Sequence, residues 1–197
     1  FNFKEEDIET NTIGLRKPQI GAIHSILGHL TNATEIATVV LPTGTGKTET
    51  MLSVLVANRC KKLLVVVPSD ALRGQLAGKF YDLGWLKKID NEGNSIVLEK
   101  AKYPKVGILN TGFSDEEELN FFIEKCNVIV ATMDLLTSMS IQQKKSLTEK
   151  CSHLFVDEAH HSKAKSWNKF IKSFDKNKVV LFTATPYRND GQLLDGK

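Results

Sequence analysis

The chain reads as an α/β fold built on a mostly parallel sheet with helices on both faces. Three observations predict it. Apolar runs recur at 36–41, 63–67, 106–109, 128–131, 153–156 and 179–182, and most are continuous rather than alternating, as strands covered on both faces are. Stretches able to form helices lie between them, the alternation of a parallel sheet with crossover helices. At 197 residues, with 41% hydrophobic and 25% charged residues, the chain suffices for one substantial core but not comfortably for two.

Residues 1–13 read as a flexible N-terminal segment ahead of a domain spanning 14–190. Over 16–30, Ile20, Ile23, Ile26, Leu27 and Leu30 recur at helical spacing. The run 36–41 passes through a glycine-bearing turn to Met51, Leu52, Leu55 and Val56, the buried stripe of a second helix. The run 63–67 leads to Ser69, an N-cap at a helix start. Residues 87–105, with Asn91, Gly93 and Asn94, form an irregular stretch in which 95–98 allows a short hairpin strand. Ser114-Asp115-Glu116-Glu117 reads as a capping box opening a helix through Cys126, with Phe121 and Phe122 inward. The acidic run 115–118 is a stabilising first helical turn, not a ligand site. A last helix is expected over 164–174, with Trp167, Phe170, Ile171 and Phe174 inward. Residues 191–197 read as the start of a linker.

Two motifs follow strands and carry chemistry. Leu41-Pro42-Thr43-Gly44-Thr45-Gly46-Lys47-Thr48 is a glycine-bearing strand-to-helix turn whose unpaired N–H groups suit a polyphosphate. Lys47 adds a positive charge for the β- and γ-phosphates, and the Thr48 hydroxyl is placed for Mg2+. The strict pattern asks for Gly where Leu41 stands, although Gly44 and Gly46 keep the turn permissive. Asp157-Glu158-Ala159-His160-His161 ends the fifth run. Asp157 can hold the metal through water, and Glu158 can polarise an attacking water. Together they describe a nucleoside-triphosphate hydrolysis site, with Lys47, Asp157 and Glu158 as its catalytic residues.

Composition excludes other classes. A net charge of +3 is too small to imply a polyanion partner by itself. Cys60, Cys126 and Cys151 are odd in number, widely spaced and without a CxxC pair. They read as reduced thiols of a cytoplasmic protein, neither a disulfide frame nor a zinc site. No apolar stretch approaches the roughly 20 residues that cross a bilayer.

These motifs, together with further short signatures in the family's order, resemble the first RecA-like motor domain of superfamily 2 helicases and translocases. The Asp-Glu-Ala-His variant is similar to that of the branch containing type I and type III restriction-enzyme motor subunits, and the resemblance runs from Leu15 to Arg188. It implies a P-loop nucleotide hydrolase that takes ATP and Mg2+. Arg16-Lys17-Pro18-Gln19 resembles the adenine-reading element, with Arg16 and Gln19 joining Pro42, Thr43, Gly44, Thr45, Gly46, Lys47, Thr48 and Glu49 around the nucleotide. Ser69 and Arg73 resemble a strand-tracking element, and Thr111, Gly112 and Thr132 resemble further backbone contacts. Thr183-Ala184-Thr185-Pro186 resembles the coupling motif, in which Thr183, Thr185 and His160 link the acidic pair to the nucleic-acid side.

The resemblance also implies a second RecA-like domain of the full-length chain, carrying arginines that reach the γ-phosphate. Such an arginine is worth roughly 10³ to 10⁵ in rate, so this fragment is expected to hydrolyse ATP poorly alone. DNA is favoured over RNA as partner on family resemblance, with nuclease or specificity modules elsewhere. An RNA helicase or remodeller, and a nucleotide-dependent switch without a nucleic-acid track, are the competing readings. Intact Lys47, Thr48, Asp157 and Glu158 argue against an inactive scaffold.

Overall fold

The computed structural model describes residues 3–161 and 169–185. Its elements run α1 (Lys17–Asn32), β1 (Ala37–Val40), α2 (Lys47–Ala57), β2 (Leu63–Val67), α3 (Asp70–Asp82), β3 (Val106–Ile108), α4 (Glu116–Lys125), β4 (Val128–Thr132), α5 (Met133–Ser138), α6 (Ile141–Lys150), β5 (His153–Val156) and β6 (Val179–Thr183). The six strands form one sheet in the order β1-β6-β5-β2-β4-β3. Every pairing is parallel, with Val67 opposite Thr132 and Val40 opposite Thr183.

Alternate side chains of each strand feed separate cores. Leu63, Val65, Val67, Val128, Val130, Phe155, Val180 and Phe182 pack with α1, α2 and α3. Leu64, Val66, Ile129, Ala131, Leu154, Val156 and Leu181 pack with α4, α5, α6 and Phe170–Phe174 ring contacts on the other face. Both sides are apolar because both are covered, which is why the runs do not alternate.

Several local expectations change. Residues 95–98 form bends and no strand; Val97 N–H reaches Leu86 O at 3.1 Å, folding the stretch onto the turn after α3. Asp115, not Ser114, caps α4, accepting from Glu118 N–H at 2.8 Å, while Ser114 Oγ donates to Glu118 Oε2. Phe121 is 60% exposed. The buried stripe of α4 is Leu119 and Ile123, with Phe122 beside Phe113. Phe121 instead lies under the Lys125 ammonium, 3.9 Å from its ring centre. Of the expected last helix, Phe170, Ile171 and Phe174 are buried, while Trp167 and 162–168 lie outside the described residues. The expected linker at 191–197 lies outside them too.

Residues 3–15 lie along the domain. Lys4 pairs with Asp90 at 2.7 Å, Glu6 N–H donates to Leu15 O at 3.0 Å, and Leu15 is fully buried. The three cysteines are buried and free, and burial raises all three thiols, Cys151 to about 12. Such thiols are inert at neutral pH. No described helix is long and apolar enough to cross a membrane.

At the amino ends of the strands, a polar clasp joins α2 to β5. Asn58, the C-cap of α2, donates through Nδ2 to His153 Nε2 at 2.9 Å. His153 Nδ1 meets Ser152 Oγ at 2.9 Å, and Ser152 Oγ in turn donates to Lys62 O at 2.8 Å. This network assigns the proton to Nδ1 and leaves the ring neutral. Burial, with the nearby Lys178 charge, pushes His153 down to about 4. The unfolded chain protonates near the ordinary value of 6.5 and the folded one only near 4. The clasp's stability is therefore intact above 6.5 and lost as pH falls towards 4. Denaturant unfolding should show a steeper fall for the wild type than for His153→Gln across that window; parallel slopes would contradict the assignment.

Candidate functional site

The carboxyl edge of the sheet carries both motifs. β1 delivers the chain to the turn 41–46, where Gly44 and Gly46 adopt φ +81 and +89, a left-handed backbone that favours glycine. A Cβ on Gly46 would also collide with Gln19 Nε2. Thr45 closes the turn, donating to Pro42 O through N–H at 3.2 Å and through Oγ1 at 2.6 Å. α2 then opens with Lys47, Thr48 and Glu49, its first N–H groups pointing out of the helix end.

β5 delivers Asp157 and Glu158 to the facing side. Asp157 N–H donates to Val66 O at 2.8 Å, which extends the β2–β5 pairing to the acidic pair. Glu158 adopts φ +48, a left-handed conformation costly for a side-chain-bearing residue. That turn presents its carboxylate to the opposite loop: Lys47 Nζ lies 3.0 Å from Glu158 Oε1, with side chains 11% and 22% exposed. Glu158 Oε2 is buried without a well-directed hydrogen bond, 3.3 Å from His160 Nδ1.

Asp157 Oδ1 accepts from Glu158 N–H at 3.1 Å. Burial first, then the Glu158 charge, raises Asp157 to about 6, and Lys47 only partly offsets them. Buried carboxylates strained in this way occur where a cation is to be bound.

His160 Nδ1 meets Thr183 Oγ1 at 3.0 Å, and Thr183 Oγ1 donates to Thr185 O at 2.7 Å while accepting from Thr185 N–H at 3.2 Å. The three coupling candidates thus form one chain, beginning beside Glu158. Pro186 lies outside the described residues.

Arg16 and Gln19 are placed against the loop from α1. Arg16 Nη1 donates to Gly44 O at 3.1 Å, and Gln19 Nε2 donates to Gly46 O at 3.0 Å. Gln19 Oε1 accepts from Arg16 N–H at 2.8 Å, and the residue is 5% exposed. Each end of its amide has one partner within the protein, which leaves its second N–H and second lone pair for a base edge.

The backbone-contact candidates sit along the other half of the edge. Ser69 follows β2 and caps α3; Thr132 ends β4 and caps α5, its Oγ1 accepting from Leu135 N–H at 3.4 Å. Thr111 and Gly112 follow β3 and are exposed. Arg73 Nη1 pairs with Asp70 Oδ1 at 2.7 Å. Since β2, β4 and β3 are neighbours, these loops line one stretch, while the phosphate turn follows β1, the acidic pair follows β5 and the coupling threonines end β6 between them.

A cleft of about 400 Å³ lies between the loop and the acidic pair, lined by Thr43, Gly44, Gly46, Lys47, Thr48, Glu49, Asp157 and Glu158. Its remaining wall is Leu72, Gln75, Leu76 and Lys79 of α3; the strand-tracking stretch 68–75 takes in Leu72 and Gln75, but Leu76 and Lys79 lie beyond every motif. The i, i+3, i+4, i+7 spacing of the four was the available signal. The donor set fits a nucleoside triphosphate with Mg2+: a cation, open helix-end amides, a hydroxyl, and a carboxylate held at high cost.

A family profile described as type III restriction enzyme, res subunit, matches residues 12–188. No curated protein matches the chain significantly. Among solved structures, the UvsW helicase from bacteriophage T4 is similar at 16% identity and TM-score 0.59, covering 94% of this chain and 57% of that one. A second T4 UvsW structure is similar at 16% identity and TM-score 0.57, covering 94% and 32%. A nuclease-deletion mutant of the type ISP restriction-modification enzyme LlaGI, in complex with a DNA substrate mimic, is similar at 19% identity and TM-score 0.54, covering 92% and 18%. The chain therefore spans 57% or less of each of these chains.

The raised Asp157 has a stability consequence in the absence of metal. Its folded state holds a proton up to about pH 6, whereas the ordinary value is 3.8. The native state is therefore unpenalised below 3.8 and loses stability as pH rises through 6. Asp157→Asn should raise metal-free stability at pH 8, by on the order of 2 kcal/mol, and by much less at pH 4. Thermal unfolding at both values measures it; an equal effect at each would contradict the assignment.

Proposed function

The chain belongs to the type III restriction enzyme res-subunit family and has the RecA-like fold of helicase motor domains, and from these premises we propose that it is the ATP-binding first motor domain of a translocase or helicase that moves on DNA. One observation carries the reading. The reading is supported by the sheet order, in which the phosphate turn follows β1, the acidic pair follows β5, the coupling threonines stand at the end of β6 and the backbone candidates stand at the ends of β2, β4 and β3, and by the His160–Thr183–Thr185 chain beside Glu158. A nucleotide switch without a track needs only the phosphate turn and the acidic pair.

In this reading Lys47 and the N–H groups of 44–49 hold the phosphates, and Thr48 and Asp157 hold Mg2+. The metal neutralises charge on the phosphates when bound. Glu158 acts as the group that orients and polarises water. Its ion pair with Lys47 ties up both residues, and phosphate competes for the ammonium. Lys47 then leaves Glu158 Oε1 free to accept from water. His160 stands beside the other carboxylate oxygen and, through its hydrogen bond to Thr183, connects that side of the acidic pair to β6. Ser69, Thr111, Gly112 and Thr132 contact the nucleic-acid backbone through hydroxyls and main-chain N–H groups. A second RecA-like domain supplies the arginines for the γ-phosphate.

The full-length protein should hydrolyse ATP faster with duplex DNA than with single-stranded DNA or RNA; greater stimulation by RNA would move the assignment to an RNA motor, and none by any would favour a switch. In this chain, Lys47→Ala should weaken Mg-ATP binding at least about tenfold, since a charge-assisted contact is lost. Glu158→Gln should retain binding and, in the full-length protein, lower turnover by about 10² or more. Fluorescent-nucleotide titration and single-turnover hydrolysis separate the two effects.

A further inference from the structure

We infer that Lys79 of α3 is a positioning residue for the nucleotide, acting through Glu49 to offset that carboxylate's charge beside the phosphate loop. The inference rests on the proposed ATP-binding reading and extends it to a residue outside every motif. Leu72, Gln75, Leu76 and Lys79 share one face of α3, and that face walls the phosphate cleft. Lys79 Nζ stands 3.4 Å from Glu49 Oε1.

Glu49 is an awkward neighbour for a triphosphate. It follows the metal-binding Thr48 directly, and its Oε2 lies 3.3 Å from the position a Gly46 Cβ would take. Its place in the first turn of α2 explains why an acid is tolerated there, because a helix start favours negative charge. The same helix start is where phosphate must bind, so a bare Glu49 repels the ligand well inside a Debye length. Lys47 does not cancel it, being engaged by Glu158 at 3.0 Å. Lys79 does, from another helix. The pair is 40% and 18% exposed, so solvent screens it and the effect is moderate.

This arrangement fixes the signs of three substitutions. Titration of this chain with Mg2+ and an N-methylanthraniloyl-ATP probe should show Lys79→Met weakening binding about five- to tenfold and Glu49→Gln tightening it about two- to threefold. The double variant should return to within about twofold of wild type, and the Lys79→Met loss should shrink as salt rises from about 50 to 500 mM. A double variant as weak as Lys79→Met would overturn the inference, since Lys79 would then touch phosphate directly. Unchanged binding in Lys79→Met would overturn it as well. If Lys79→Met does not fold by thermal unfolding, Glu49→Gln alone decides, and unchanged or weaker binding counts against the inference. Lys47→Ala separates the two levels. Loss of binding there with a neutral Lys79→Met sinks only the role of Lys79; no binding by wild type, or full binding by Lys47→Ala, sinks the ATP site and this inference together.

Discussion

The ion pair between Lys47 and Glu158 is the contact on which the candidate site depends. It joins the start of α2 to the end of β5 across the carboxyl edge of the sheet. Neither group is freely solvated, and a partly buried charge without its partner is costly. The pair therefore fixes the separation of the two loops. The left-handed backbone at Glu158 and the glycines at 44 and 46 are the local costs of bringing them face to face. All six strands run parallel, so every strand-ending loop emerges on this one edge. The fold thus concentrates polar, strained chemistry along a single line and leaves both faces of the sheet to apolar packing.

Much of this was legible in the chain itself. The strands were visible because burial on both faces removes alternation and leaves short runs of Val, Ile and Leu. The phosphate turn was visible because its glycines and lysine do a backbone task that few other residues can. Legibility ended where tertiary contact decides. α6 is polar along almost its whole length and buries only Ser146 and Leu147, so its helical period was faint. Phe121 invited an inward placement by hydrophobicity, yet Leu119 and Ile123 already fill that side, and a lysine covers the exposed ring. Gln19 was read for its donor and acceptor without reference to Gly46 O and Arg16 N–H, which fix the orientation of its amide by taking one site at each end.

Strand order was the largest hidden quantity. Nothing in the local sequence says that β6, last in the chain, inserts between β1 and β5. That insertion sets Thr183 beside His160, and it separates the strands carrying the phosphate turn and the acidic pair by one strand's width. Lys79 was hidden for a similar reason. Its meaning comes from Glu49, on a different helix, and no spacing rule within α3 announces an ion pair with α2.

The clasp of Asn58, His153 and Ser152 lies at the opposite end of the same two carriers. α2 begins at the phosphate turn and finishes at Asn58; β5 begins at His153 and finishes before the acidic pair. Helix and strand are thus tied at both ends, by Asn58 and His153 at the amino edge and by Lys47 and Glu158 at the carboxyl edge. A substitution at one edge leaves the other tie to hold the two elements in register.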